Sequence, residues 1–222
     1  MLALLYDVHG NLPALEAVLA DVESAGADSF VLGGDFSAFG GWPAECVTRL
    51  RELPDTTWIR GNWERWAAGD DADMPGSDLF RTAREAAVVA LGFTEVAKLA
   101  ALPDRAERDG VLYVHASPRD DMHSFRPEAQ ADEEELLADT TEPRVVFGHY
   151  HLQFARTRPA GVELVAPGAV GMPWDGDPRA AWALVHDDGR VELRRTEYDV
   201  ERAAGAVGPE TAARLRTGRF EP

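Results

Sequence analysis

The chain has 222 residues, 45% hydrophobic and 27% charged, a globular balance that excludes a disordered or fibrous protein. Its formal charge of −17 creates a field that repels a phosphate backbone, so broad nucleic-acid binding is not expected. No apolar run is long enough to span a membrane, the apolar residues before Asp7 lack the basic flank of a signal peptide, and the single cysteine permits no intrachain disulfide, which together predict a cytoplasmic location.

Leu2 to Tyr6 is short and wholly apolar, as expected of a buried strand, and runs into Asp7-Val8-His9-Gly10-Asn11. In a strand, side chains at i and i+2 share a face, so Asp7 and His9 are expected to point together, a carboxylate and an imidazole suited to a divalent metal. Pro13 fits the first position of a helix running from Leu12 to Ala25, whose Leu12, Leu15, Val18, Leu19 and Val22 form one apolar stripe and whose end is marked by Gly26. Phe30-Val31-Leu32 is a second buried strand ending in Gly33-Gly34-Asp35. After a Gly-rich loop, Pro43 opens a helix in which Cys46 reads as a small buried hydrophobe. A third strand, Thr57-Trp58-Ile59, runs into Arg60-Gly61-Asn62. Alternating strands and helices predict an α/β sheet that gathers ligands at the carboxyl ends of its strands.

Trp63 to Leu102 is expected to be mostly helical, with a break before Thr94-Glu95. Asp109-Gly110 then signals a hairpin into Val111-Leu112-Tyr113-Val114, which terminates in His115. An acidic helix over roughly Glu128 to Ala138 leads to a strand, Arg144 to Phe147, that ends in Gly148-His149-Tyr150-His151. His149 and His151 repeat the spacing of Asp7 and His9. Strands near Phe154, Leu164 and Ala183–Val185, a hairpin at Asp188-Gly189 and a helical tail over about 198–222 complete one expected domain, 1–222. The acidic runs Asp70 to Asp73 and Asp132 to Glu135 read as solvated faces.

Four histidines, two aspartates and an asparagine thus fall at strand ends beside glycine or small residues. One zinc site needs about four ligands, so seven candidates point to two metals sharing a carboxylate. In this order the blocks Asp7-Val8-His9-Gly10-Asn11, Gly34-Asp35, Gly61-Asn62, His115 and Gly148-His149-Tyr150-His151 resemble the calcineurin-like metallophosphoesterases, in particular their small bacterial and archaeal phosphodiesterase-like members. The resemblance implies a four-layer αββα sandwich of two mixed β-sheets flanked by helices. It implies that Asp7, His9, Asp35 and His151 hold one metal, that Asp35, Asn62, His115 and His149 hold the other, and that Asp35 bridges. Two such cations, roughly 3.5–4 Å apart, clamp a phosphate and activate a water. The ligand set admits manganese, iron or zinc, with manganese weakly favoured.

The expected function is hydrolysis of a small-molecule phosphate ester, a diester ahead of a monoester, with Asp35, Asn62, His149 and Arg119 acting on the substrate. A homo-oligomer is left open. One block departs from the family: many members carry a histidine, thought to protonate the leaving group, where this chain has Trp63. Indole is no useful acid near neutral pH. Either the substrate leaves without help, or Glu64 substitutes, or a metal-bound scaffold remains without turnover. Arg60, Arg119 and Arg179 are further candidates for phosphate contact, Trp42, Trp63, Trp66 and Trp174 for the rim of the site, and Asn11 and Glu64 for orienting ligands and turns.

Overall fold

A computed structural model describes residues 1–158 and 161–220, so the last two residues of the expected tail lie outside it. The first sheet consists of β1 (Leu2–Leu5), β2 (Ser29–Leu32), β3 (Thr56–Trp58), β9 (Ala180–Val185) and β10 (Val191–Thr196), in the order β10-β9-β1-β2-β3. The second consists of β4 (Arg105–Arg108), β5 (Val111–Val114), β6 (Arg144–Val146), β7 (Gln153–Thr157) and β8 (Glu163–Pro167), in the order β4-β5-β6-β8-β7. Each sheet has three parallel strands, β1-β2-β3 running to one edge of the first, with antiparallel β9 and β10 on the other side, and β5-β6-β8 at the centre of the second, flanked by antiparallel β4 and β7.

Helices α1 (Leu12–Ser24) and α2 (Pro43–Arg51) cover the outer face of the first sheet. The stripe Leu15, Val18, Leu19 and Val22 packs with Cys46, Val47 and Leu50 over Leu5, Leu32 and Trp182. Between the sheets, Leu4, Tyr6, Val31 and Ile59 meet Tyr113, Val146 and Val165. The fourth layer is thin. Leu112, Val114, Val145 and Leu164 are covered by Phe125, Leu136 and Leu137, which belong to a loop and to a single helical turn, α5 (Glu133–Leu136).

The acidic helix is therefore shorter than its sequence suggests, and its acidic run is not wholly solvated. Glu133 is buried and pairs with Arg156 of β7 and with Arg158 just beyond it, and it accepts a hydrogen bond from the Gln130 backbone, which ties the turn to the sheet. Between the sheets in sequence lie α3 (Asn62–Ala67) and α4 (Asp78–Ala100); the second is broken at Gly92 (φ 73°, ψ 155°), at the expected interruption. The helical tail consists of two helices, α6 (Val200–Ala204) and α7 (Pro209–Thr217), which pack Ala203 and Leu215 on Met172.

The strand ends approach so closely that side chains are excluded at their junction. Gly34 (φ +91°) follows β2, and a Cβ there would lie 2.4 Å from the Gly61 backbone nitrogen. Gly110 (φ +72°), in the hairpin turn, has open space instead. Gly110→Ala should therefore cost only the left-handed penalty, about 1–2 kcal/mol. Gly34→Ala should add an overpacking cost of about 1–3 kcal/mol. Urea unfolding midpoints at unchanged slope measure both; equal losses would mean that the β2 and β3 ends separate freely.

Candidate metal centre

The parallel strands of both sheets end at one edge of the sandwich, and the seven candidate ligands follow those ends. Asp7 and His9 lie beyond β1, Asp35 beyond β2, Asn62 beyond β3, His115 beyond β5, and His149 and His151 beyond β6. The expected pairs do converge, but not through strand alternation. Asp7 (φ 54°), His9 (φ 49°), His149 (φ 70°) and His151 (φ 53°) have left the strands for the left-handed region, as has Asp35 (φ 57°). Loop backbone hydrogen bonds hold these turns: the His9 N–H donates to the Asp35 carbonyl at 2.9 Å, Gly148 to His115 at 2.7 Å and Gly171 to Asp7 at 2.9 Å.

Two groups of ligand atoms form, Asp7 with His9 and His151, and Asp35 with His115 and His149; within each, the atoms lie within 4.8 Å of one another. The Asn62 Oδ1 completes the second group, 2.9 Å from His115 Nε2 and 3.0 Å from His149 Nδ1. His115 and His151 have their other ring nitrogen bound to a carbonyl, Nδ1 to Gly33 O at 2.8 Å and to Met172 O at 2.5 Å, so each presents Nε2 to the site. The His9 and His151 Nε2 atoms face each other at 3.1 Å. Asp7 Oδ1 is buried without a hydrogen-bond partner, 3.6 Å from His151 Nε2. Imidazole nitrogens turned toward one another beside an orphaned carboxylate oxygen are poorly satisfied alone and fit a divalent cation between them.

Burial governs the electrostatics without metal. It holds His9 down to about 4, and His149 to about 4 with help from the His115 charge; His151 is likewise pushed well below the histidine range. The Asp7 carboxyl is raised well above its usual range by burial. Burial opposes the charge on His115 too, but the Asp35 carboxylate, 3.3 Å from Nε2, outweighs it and raises His115.

Glu64, three residues after Gly61, is buried and accepts three backbone N–H bonds, from Asp35 (2.8 Å), Phe36 (2.9 Å) and Gly61 (2.8 Å). It ties the β2 end to the β3 end. With both oxygens committed and no place in the cleft lining, Glu64 is not positioned to protonate a leaving group, which removes the substitute acid considered from sequence. Asn11 also anchors a turn: its Oδ1 accepts from Ala14 N at 3.2 Å and its Nδ2 donates to Gly171 O at 2.7 Å.

The three candidate arginines are held by carboxylates, and Arg60 and Arg119 line a neighbouring cavity that also reaches His115. Arg119 is half-exposed and pairs with Glu135 at 2.7 Å, Arg60 pairs with Asp121 at 3.1 Å, and Arg179 pairs with Asp177 at 2.6 Å. None of the three lines the cleft over the ligands. Trp63, Trp66 and Trp174 do line it, whereas Trp42 borders a small cavity behind His9. Trp174 stacks on His151 at 3.9 Å, and Trp63 is wedged among Phe39, Trp66 and Phe80. The sequence did not single out Phe39, Phe80, Met122 or Tyr150, which also line the cleft. Tyr150 had a signal, its place between two ligands; Phe80, from a later helix, had none.

Proton linkage gives a test. Between about pH 6.5 and 4 the unfolded chain binds protons that buried His9 and His149 refuse, so stability of the metal-free chain should fall with acid through that window. Raised His115 and Asp7 act oppositely: what they contribute is complete below their unfolded pKa values and is lost as pH rises through the folded ones. Urea unfolding of the metal-free chain should thus show a maximum near pH 6.5, and His115→Asn should flatten the alkaline side. A steady rise in stability to about pH 8.5 would contradict the His115–Asp35 charge pair.

The model of the calcineurin-like phosphoesterase superfamily domain matches residues 1–189. The uncharacterized protein MJ0912 of Methanocaldococcus jannaschii is 27% identical, with 91% of this chain and 90% of that protein covered. Among solved structures, a metallophosphoesterase from Sphaerobacter thermophilus is 27% identical with a TM-score of 0.82, covering 98% of this chain and 99% of that one. The hypothetical protein PH1004 of Pyrococcus horikoshii has a TM-score of 0.85 at 19% identity over the full length of both, a likeness of fold alone. With its two groups of metal-ligating side chains at one sheet edge, the chain belongs to the calcineurin-like phosphoesterase superfamily.

Proposed function

We propose that the chain is a cytoplasmic two-metal phosphoesterase that hydrolyses small-molecule phosphodiesters in preference to monoesters. One observation carries the dinuclear reading. A single carboxylate oxygen, Asp35 Oδ2, lies 3.7 Å from His9 Nε2 of one group and 3.3 Å from His115 Nε2 of the other. That supports Asp35 as the bridging ligand, with Asp7, His9 and His151 on one side and Asn62, His115 and His149 on the other. When bound, a metal pair supplies Lewis acidity toward phosphoryl oxygens and lowers the pKa of water; manganese is the favoured occupant.

The chain's own residues determine what departs and what is admitted. Glu64 and the Gly33 and Met172 carbonyls fix the ligands before substrate arrives. Trp63 offers no proton to a leaving alkoxide. Among the described residues, those lining the cleft include no lysine or arginine to neutralise a dianionic monoester, which favours the monoanionic diester. The whole chain acts as one domain in this reading, since α6 and α7 pack on Met172. The absent acid also favours a second reading, a metal-bound scaffold without turnover; hydrolysis of a 4-nitrophenyl diester in manganese distinguishes the two.

Asp35→Asn should lower occupancy of both metal positions and His151→Ala mainly one. Elemental analysis finding two metals per chain in Asp35→Asn would remove the bridging role. The rate should also depend steeply on leaving-group pKa: nitrophenyl diesters should turn over measurably, and alkyl diesters should be slower by the roughly 10²–10⁴-fold that a positioned acid supplies. Efficient hydrolysis of dialkyl esters would mean that another group delivers the proton.

A further inference from the structure

Above the ligands, the cleft is built of rings. Phe39, Phe80, Tyr150 and Trp174 are half-buried, each leaving part of its ring toward the cleft, while Trp63 and Trp66 are buried behind them. Phe80 lies parallel to Trp63, 20° between planes with centroids 5.5 Å apart, and Phe39 meets Trp63 edge-on at 4.7 Å. Arg126 stands against the Tyr150 ring, its guanidinium carbon 5.0 Å from the centroid, and is not among the residues lining the cleft.

Once the metal ligands are set aside, the side-chain polar groups of the lining are the indole N–H groups of Trp63, Trp66 and Trp174 and the Tyr150 hydroxyl, and the Trp174 N–H is buried without a hydrogen-bond partner. The Trp66 indole N–H is already bonded to Asp73 at 2.8 Å. A nucleobase brings several donors and acceptors on its edge, and against this wall its donors would lose water with only the Tyr150 hydroxyl to accept them. An apolar ring has no such cost and covers aromatic surface otherwise left to water. The chemistry agrees: an aromatic alcohol departs as a stabilised phenolate and does not need the acid that Trp63 replaces.

From these observations we infer that the substrate is a phosphodiester of an apolar aromatic alcohol, whose ring rests on Phe39, Phe80 and Tyr150 while its phosphate meets the metal ligands. The inference rests on the phosphoesterase reading above and deepens it by naming the substrate class. Trp63 is a positioning residue here, holding the Phe39 and Phe80 rings in place.

The test is calorimetric binding to the manganese-loaded chain of three monoanionic probes of matched charge, whose only esters are the slow alkyl kind, with inorganic phosphate alongside. Methyl phenylphosphonate should bind at least about tenfold tighter than methyl methylphosphonate. It should also bind more tightly than the methyl ester of adenosine 5′-phosphate. Phe80→Leu and Tyr150→Leu, two changes on different elements, should each reduce the phenyl preference several-fold with metal content unchanged. Two results overturn the aromatic slot while leaving the metal site intact: phosphate and both phosphonates binding with no phenyl advantage, or a phenyl preference untouched in both variants. A tighter adenosine ester overturns it in favour of a nucleobase. No binding by any probe, phosphate included, removes the phosphoesterase reading and this inference with it.

Discussion

Five of the seven candidate ligands hold their backbones in the left-handed region, and the site exists only because the surrounding fold keeps them there. For non-glycine residues that conformation costs about 1–2 kcal/mol each, so five together approach the whole stability of an ordinary domain. Aspartate and histidine tolerate it better than most residues, but the larger compensation is the lattice of backbone hydrogen bonds between loops. Asp7 N–H reaches Gly34, His9 reaches Asp35 and Gly10 reaches Phe36, so the strand-like pairing of β1 with β2 continues past both strand ends in irregular form. Strain of this kind gathers where geometry must be set in advance of a ligand.

Glu64 closes the lattice from the other side. Its single carboxylate gathers backbone donors from the β2 and β3 ends, so Asp35 and Asn62 come from two strands yet behave as one rigid unit. Asp35 is fixed further by the Trp63 N–H, which donates to its Oδ1 at 3.0 Å and leaves Oδ2 facing the histidines. The glycines beside the ligands serve the same closeness: a Cβ at Gly61 would stand 2.2 Å from Asp35 Oδ1.

The convergence of the seven candidates was legible in the sequence because most of them follow an apolar strand beside a small residue, and the parallel strands of two mixed sheets bring such ends to one edge. The reason they converge was not legible. Strand alternation suggested that Asp7 and His9 share a face, whereas left-handed turns aim them, and nothing in the residue spacing distinguishes the two. Arginine roles were invisible for another reason. Arg60 has its carboxylate partner 61 residues away, Arg119 pairs with Glu135, 16 residues on, as well as with the adjacent Asp120, and Arg179 pairs two residues away, so only the short-range pairs lie close enough to read from the chain. Trp63 was read as a missing acid; its role in an aromatic wall needed Phe80, which comes from a separate helix. The Glu64 position three residues after a helix cap was a readable signal for a residue that holds backbone rather than one that donates protons.

The net charge of −17 has a kinetic side. An anionic ester diffusing toward this molecule climbs a repulsive field, and each additional negative charge on the ester steepens the climb. Dissolved salt flattens that field over distances beyond about 10 Å at 0.1 M. Encounter should therefore quicken as ionic strength rises, the reverse of the steering seen when a protein attracts its ligand from afar. On this surface, long-range electrostatics act as a filter against highly charged phosphates, and capture is left to forces that operate only inside the cleft.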